Sequence, residues 1–286
     1  MSTSTDVGLD VLDRLADLLV GGDVTVVDLT APLHEGTPVI RLPEGRGLPW
    51  PFSREVISAF DDAGPHVYWN NLRMSEHTGT HFDAPNHWLS GRDLDDVASV
   101  PPQRLVGPAA VLDVSDRVAR DPEFLLEPED VEAWTRVHGP LPRGGWLLYR
   151  TGWDARGHDA DLFLNGGRTP GVSPRCARWL VEEHDLLGIG VETVGTDAGG
   201  AAAMTPPFPC HWHFQGAGRY GLTQLRHLGS LPPRGAVVVA APLPIVGGSG
   251  SPARVLALVP RGAVRPAAGA GSTDHSTDRT TDPDEG

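Results

Sequence analysis

The chain has 286 residues, 40% of them hydrophobic, with a formal net charge of −14 and no lysine at all. Length and composition suit a globular protein with one sizeable core or two small ones, while the acidic balance argues against nucleic acid or an anionic membrane as main partner, since both require a basic footprint. No apolar run reaches the length of a membrane span, and the first residues lack the basic-then-apolar order of a signal peptide, so a cytoplasmic protein is expected.

Residues 7–20 are the first predicted element. Leu9, Leu12, Leu15, Leu18 and Leu19 recur at helical spacing before Gly21-Gly22 stops them, which makes residues 1–22 a helical segment packed on the body or on a neighbouring subunit. Val24 to Leu29 then read as a buried strand. Residues 41–52 are rich in Pro and Gly and carry Trp50 and Phe52; they read as a loop, either covering an apolar ligand or packing on its own domain. Tyr68 and Trp69 follow in a stretch of strand character, one of them expected to face a site.

The densest chemistry lies between Ser75 and Trp88, which hold His77, His81, Asp83 and His87. Gly79 and Pro85 oppose a regular helix, so the segment reads as a strand running into a loop. Alternation puts His77, Gly79, His81 and Asp83 on one side and Thr78, Thr80 and Phe82 on the other. Two imidazoles and a carboxylate on one side suit a divalent ion such as Zn or Mn. A straight strand would hold the first and last of them about 20 Å apart. The chain must therefore bend, and Gly79 is the residue able to bend it.

From His77 to His87 the sequence fills every fixed position of H-x-G-T-H-x-D-x-P-x-H, and so resembles the signature of the cyclase family, which includes bacterial kynurenine formamidase and isatin hydrolase. The resemblance implies a metal-dependent hydrolase opening an amide or lactam bond, with His77, His81 and Asp83 as ligands and His87 moving protons. The coarse pattern of short strands and few helices indicates an α+β class with a barrel-like mixed sheet and flanking helices. Over residues 23–262 the resemblance adds the swivelling β/β/α fold and a homodimer or homotetramer. Asp28 to Pro38 is similar to the family's early strand and loop.

Past the motif, Leu94 to Leu105 reads as a turn ended by proline, and Val106 to Val114 as a buried strand followed by loop acids, Asp113 and Asp116. A helix opens at Glu127-Pro128 and runs through Trp134 to Val137. Gly144 to Tyr149 is a strand leading into Arg150-Thr151-Gly152-Trp153, similar to the family's R-T-G-W of the active-site region. Arg150 or Arg73 would meet a substrate carboxylate. Ser173-Pro174 caps another helix, and Leu186 to Val191 is the next strand. Val194 to Asp197 is similar to the family's G-x-D turn; Asp197 either orients a ligand imidazole through its outer nitrogen or caps local amides. Cys176 and Cys210 read as reduced, buried side chains.

The second histidine cluster is Cys210-His211-Trp212-His213. In the family a His ahead of a G-x-G turn binds at the metal site and a later Glu completes a two-metal centre. Gly216 and Gly218 align His211 with that histidine, and Thr223 stands where the Glu is expected, with Gln224 beside it. Thr being a poor ligand, a single ion, Mn or Zn, is expected, with His211 or Gln224 as fourth ligand. His213 competes, because in a strand it would share a face with His211. Trp50, Phe52, Tyr68, Trp69, Trp88 and Trp212 would shape a pocket for a small flat substrate. Two other readings remain open: a cyclase or dehydratase that releases no acid, and a metal site serving folding alone. Ala236 to Leu243 and Val255 to Val259 are two further strands, and residues 263–286, with His275, read as a disordered tail.

Overall fold

The computed structural model describes residues 4–42 and 45–265. Helix α1 (Ser4–Val20) precedes strand β1 (Val24–Asp28), a hairpin of β2 (Ser53–Ala59) and β3 (Tyr68–Arg73), the three-residue strand β4 (His81–Asp83), and β5 (Val106–Asp113). There follow α2 (Ser115–Val118), β6 (Leu125–Leu126), α3 (Pro128–His138), β7 (Gly145–Arg150), α4 (Ala160–Leu164), β8 (Gly171–Val172), α5 (Pro174–Glu183) and β9 (Leu186–Val191). The order ends with α6 (Pro209–Gly216), β10 (Tyr220–Thr223), β11 (Arg234–Pro242) and β12 (Gly250–Pro260).

Two helix starts are capped, that of α5 by the predicted serine. Glu127 and Asp130 bond reciprocally across the first turn of α3 with Pro128 at the first position, and Ser173 Oγ accepts from Cys176 N to open α5. Both devices satisfy amides that a helix start leaves unpaired.

Seven strands run β12-β11-β5-β7-β9-β10-β4, and β4 pairs again with β12, which closes a barrel; β1 adds to the outside of β12. The pairs from β5 to β10 are parallel and the others antiparallel, the mixed sheet expected from the sequence. Strand alternation divides the apolar residues between two cores. Ala109, Val111, Trp146 and Leu148 join Phe82 and Tyr220 inside the barrel. Their neighbours Ala110, Leu112, Leu147 and Tyr149 face outward, under Trp134 of α3, Leu180 of α5 and Phe214 of α6.

Residues 53–59, unassigned from the sequence, pair with 68–73 as a hairpin outside the barrel sheet, most of its positions exposed. At the other end, Ala263 and Val264 pack against the barrel core and Arg265 N donates to Ser230 O, so ordered packing continues past residue 262. The tail expected beyond it, including His275, lies outside the described residues from 266 onward. Among the described residues no helix is long and apolar enough to cross a membrane.

Candidate metal centre

The strand that closes the barrel is the strand that carries the site. Phe82 is buried in the barrel core, so alternation turns His81 and Asp83 to the outer face. Gly221 of β10 pairs with Asp83, and Thr223 with His81. Thr223 Oγ1 lies 3.0 Å from His81 Nε2. A Cβ at Gly221 would stand 2.6 Å from Asp83 Oδ2 and 3.1 Å from Thr196 Cγ2, so this position must lack a side chain for the carboxylate to fit. Gly221→Ala is expected to cost about 1–3 kcal/mol of stability by overpacking, measured by denaturant unfolding of the metal-free protein.

Gly79 supplies the bend. Its φ is +66°, and a Cβ there would meet Leu33 Cδ2 at 2.6 Å, so both the conformation and the space call for glycine. The turn brings His77 Nδ1 to 2.9 Å from Asp83 Oδ1, while His81 Nε2 lies 3.3 Å from the same oxygen.

Hydrogen bonding fixes where the imidazole protons sit, because each neutral ring has one N–H. His81 Nδ1 is 2.7 Å from Gly79 O, which can only accept. His77 Nε2 is 2.9 Å from Ser249 Oγ, whose own hydrogen goes to Glu76 Oε2 at 2.7 Å; the serine must therefore accept from His77. His211 Nδ1 meets Asp197 Oδ2 at 2.5 Å. All three rings thus hold their protons on the outer nitrogen. His77 Nδ1 and His81 Nε2 are left as bare lone pairs facing a carboxylate, an arrangement that repels itself unless a cation joins it. Asp83 Oδ2 is moreover buried without a hydrogen-bond partner. Spacings of 2.9 and 3.3 Å suit donors around one ion, since tetrahedral ligands at about 2.0–2.1 Å are separated by about 3.3 Å.

The electrostatics agree with this donor set. Burial works to raise Asp83, yet the neighbouring imidazoles, His81 first, hold its carboxyl well below the usual range. His87 is pushed down to about 3, first by burial and then by the imidazoles of His77, His211 and His81, against the pull of Asp83. Burial opposes a charge on His211, but its hydrogen bond to Asp197 and that carboxylate's charge prevail and raise it.

The expected imidazoles and carboxylates do converge, the aromatics and Arg150 only in part. His87, on a 3-10 turn at Pro85–His87, lays its ring over His77 with centroids 4.0 Å apart, and His77, Asp83 and His87 offer donor atoms within 4.8 Å of one another. The His211 ring packs 5.4 Å from His87 and 4.7 Å from Trp88. Besides meeting His211 Nδ1, Asp197 accepts from the backbone N–H groups of Cys210 and His211. Cys176 and Cys210 are free and buried.

Several expected site residues lie elsewhere. Residues 209–216 form a helix, not a strand, so His211 and His213 point about 200° apart; His213 sits instead by Arg178, its pKa lowered by burial and by that charge. Gln224 leaves β10 with φ +52°, donates its amide to Pro38 O and lines a cavity with Ala31, Thr37 and Asp154, away from the donors. The guanidinium of Arg150 is taken up by Asp113 and Ser115, in another cavity beside Trp134 and His138. The rest of R-T-G-W is a structural anchor: the backbone N–H groups of Thr151, Gly152 and Trp153 all donate to buried Glu192, whose carboxyl burial lifts to about 7. Finally, Trp212 is partly exposed, and its carbonyl accepts from Ser90.

Of the remaining aromatics, Trp88 packs within the site. Trp50 lies under Arg73 at 3.7 Å and its carbonyl accepts from Ser75 N and Thr78 Oγ1, at the approach to His77. Phe52 is half-buried beside the hairpin, and Tyr68 and Trp69 are exposed on it, with Tyr68 stacked on Phe60. The sequence reading passed over Phe208, whose ring meets Trp88 edge-on at 5.2 Å, as well as Glu76 and Ser249. For the serine, the signal available was its place in Gly247-Gly248-Ser249-Gly250, a glycine-rich run just ahead of a strand.

Comparison with known proteins places this geometry. Residues 27–198 match the family model described as "Putative cyclase". The chain is 41% identical over 257 residues to isatin hydrolase of Roseibium aggregatum, covering 87% of this chain and 97% of the relative. Isatin hydrolase A from Ralstonia solanacearum matches in structure with a TM-score of 0.85 at 47% identity, covering 87% of this chain and 97% of that one. An isatin hydrolase bound to the product analogue thioisatinate matches with a TM-score of 0.86 at 39% identity, covering 91% and 100%.

Proposed function

The chain belongs to the cyclase family, and on that premise we propose that it is a metal-dependent hydrolase opening the lactam C–N bond of a small aromatic substrate of the isatin type. The observation that carries the reading is the convergence of bare His77 Nδ1 and His81 Nε2 on Asp83 Oδ1. His77, His81, Asp83 and His211 would hold one divalent ion, Mn or Zn; Thr223, in place of a carboxylate, supports one ion over two. Such an ion, when bound, polarises the substrate carbonyl and lowers the pKa of water from about 15.7 towards about 7.

The chain's own residues do the rest. His87, neutral at working pH, takes the proton of the attacking water and returns it to the leaving nitrogen. Trp88 and Phe208 present apolar faces to a flat ring beside His87 and His211, with Trp50 at the entrance. A cytoplasmic homo-oligomer accompanies this reading. Its support is the pair of free buried cysteines and the apolar side chains left exposed on α1 and the hairpin, among them Leu12, Trp69 and Leu72, a surface that association would cover.

The test is incubation of the metal-loaded protein with isatin and, separately, with a formanilide. Release of one acid per ring opened, faster for isatin, is the expected result. Conversion without acid release would point to a cyclase or dehydratase instead.

A further inference from the structure

One side chain from the loop before β12 reaches the outer edge of the His77 ring. Ser249 Oγ stands 2.9 Å from His77 Nε2, and Glu76 Oε2 accepts from both Ser249 Oγ at 2.7 Å and Ser249 N at 3.0 Å. We propose that Glu76 and Ser249 form a relay of positioning residues that fixes the tautomer and orientation of His77 and strengthens it as a donor to a divalent cation. The inference rests on the metal-centre reading above.

Hydrogen-bond direction carries it. An ionised carboxylate only accepts, and a serine has one hydrogen to give. With that hydrogen on Glu76, the serine oxygen faces Nε2 as an acceptor, and the chain runs from imidazole N–H to hydroxyl to carboxylate in one direction. The negative charge at its end polarises both bonds. Drawing electron density from Nδ1 into a cation makes Nε2–H more acidic, so each bond of the relay is stronger with the ion in place. That coupling is how partners behind a ligand raise its affinity for metal.

The loop is built for the approach. A Cβ at Gly250 would fall 2.6 Å from His77 Cε1, and one at Gly248 3.0 Å from Glu76 Oε1, so the glycines on either side of Ser249 let the backbone close over both partners. Three further bonds pin it: Ala84 N to Ser249 O, Val97 N to Gly248 O, and Gly247 N to the Asp96 carboxylate. Neither Glu76 nor Ser249 is among the donors facing the centre, so their effect on the ion passes through His77.

The experiment titrates metal-free wild type, Ser249→Ala and Glu76→Gln with Mn²⁺ and Zn²⁺ against a competing chelator, alongside the melting temperature of each metal-free protein. Glu76→Gln retains an oxygen able to accept both bonds from residue 249 and removes only the charge. Both variants are expected to bind the ion roughly 10–100-fold more weakly with unchanged metal-free melting temperatures, and Ser249→Thr, which keeps the hydroxyl, to bind like wild type. Should Ser249→Ala fail to fold, Glu76→Gln decides alone: an affinity within about twofold of wild type overturns the relay. Failure of the wild type itself to take up either ion would instead overturn the metal-centre reading beneath it.

Discussion

Asp83→Asn is expected to lower turnover of the metal-loaded protein by more than about 10⁴-fold, the largest effect of any single substitution considered. Asp83 Oδ1 is the point on which His77 and His81 both converge, and Oδ2 is buried with no partner of its own. Asparagine keeps the volume but removes the formal negative charge that Asp83 presents to the cation. The ion is worth roughly nine orders of magnitude in the acidity of its water, so weakened binding alone accounts for a loss of this size. Chelation of the wild type should reproduce it. Adding back Mn or Zn should restore the wild type and leave Asp83→Asn inactive, with metal content measured beside the rate. A variant that kept its ion and most of its rate would remove Asp83 from the centre.

What the sequence disclosed of this site follows from how local each determinant is. His77, Gly79, His81 and Asp83 lie within seven residues of chain, and the bend that joins them is encoded by the one residue that tolerates it. The donor cluster could therefore be assembled before any fold was known. Asp197 and His211, by contrast, lie 14 residues apart, and nothing local in the sequence says which imidazole the aspartate meets. Strand β4 is only three residues long, too short to announce itself as the piece that closes the barrel.

The misplaced residues share another cause. The alternation that assigned His213 to the metal face presumed a strand, whereas Pro209 at the first position of α6 was the local sign of a helix. Gln224 is a candidate only as the neighbour of Thr223 in sequence, and its left-handed φ takes the side chain elsewhere. Arg150 has a partner, Asp113, that lies 37 residues away and pairs through the parallel register of β5 and β7. Glu76 and Ser249 are separated by 173 residues. A serine in a glycine-rich loop carries no periodic signal, so such a contact becomes visible only in three dimensions.

His87→Ala is expected to lower kcat by about 10²–10⁴, the usual contribution of a positioned acid–base group, while the protein keeps its divalent ion. The ring lies over His77 and close enough to Asp83 that its nitrogen would also serve as a donor; metal content separates the two roles, since loss of the ion along with the rate would make His87 a ligand. Its pKa adds a second, independent readout. Burial, then the surrounding imidazoles, bring it from 6.5 to about 3, so at neutral and mildly acidic pH the folded protein keeps this ring neutral and able to accept a proton. In the unfolded chain the same ring charges near its ordinary value. Between about 6.5 and about 3 the unfolded state therefore binds the additional proton, and stability falls as pH falls through that window. Metal-free His87→Ala lacks this group, so its unfolding free energy should decline less steeply with acid than that of wild type over the same interval. Equal slopes for the two proteins would mean that the ring is solvated and free to charge in the fold, and a base so exposed would not be held beside the substrate in the way its geometry indicates.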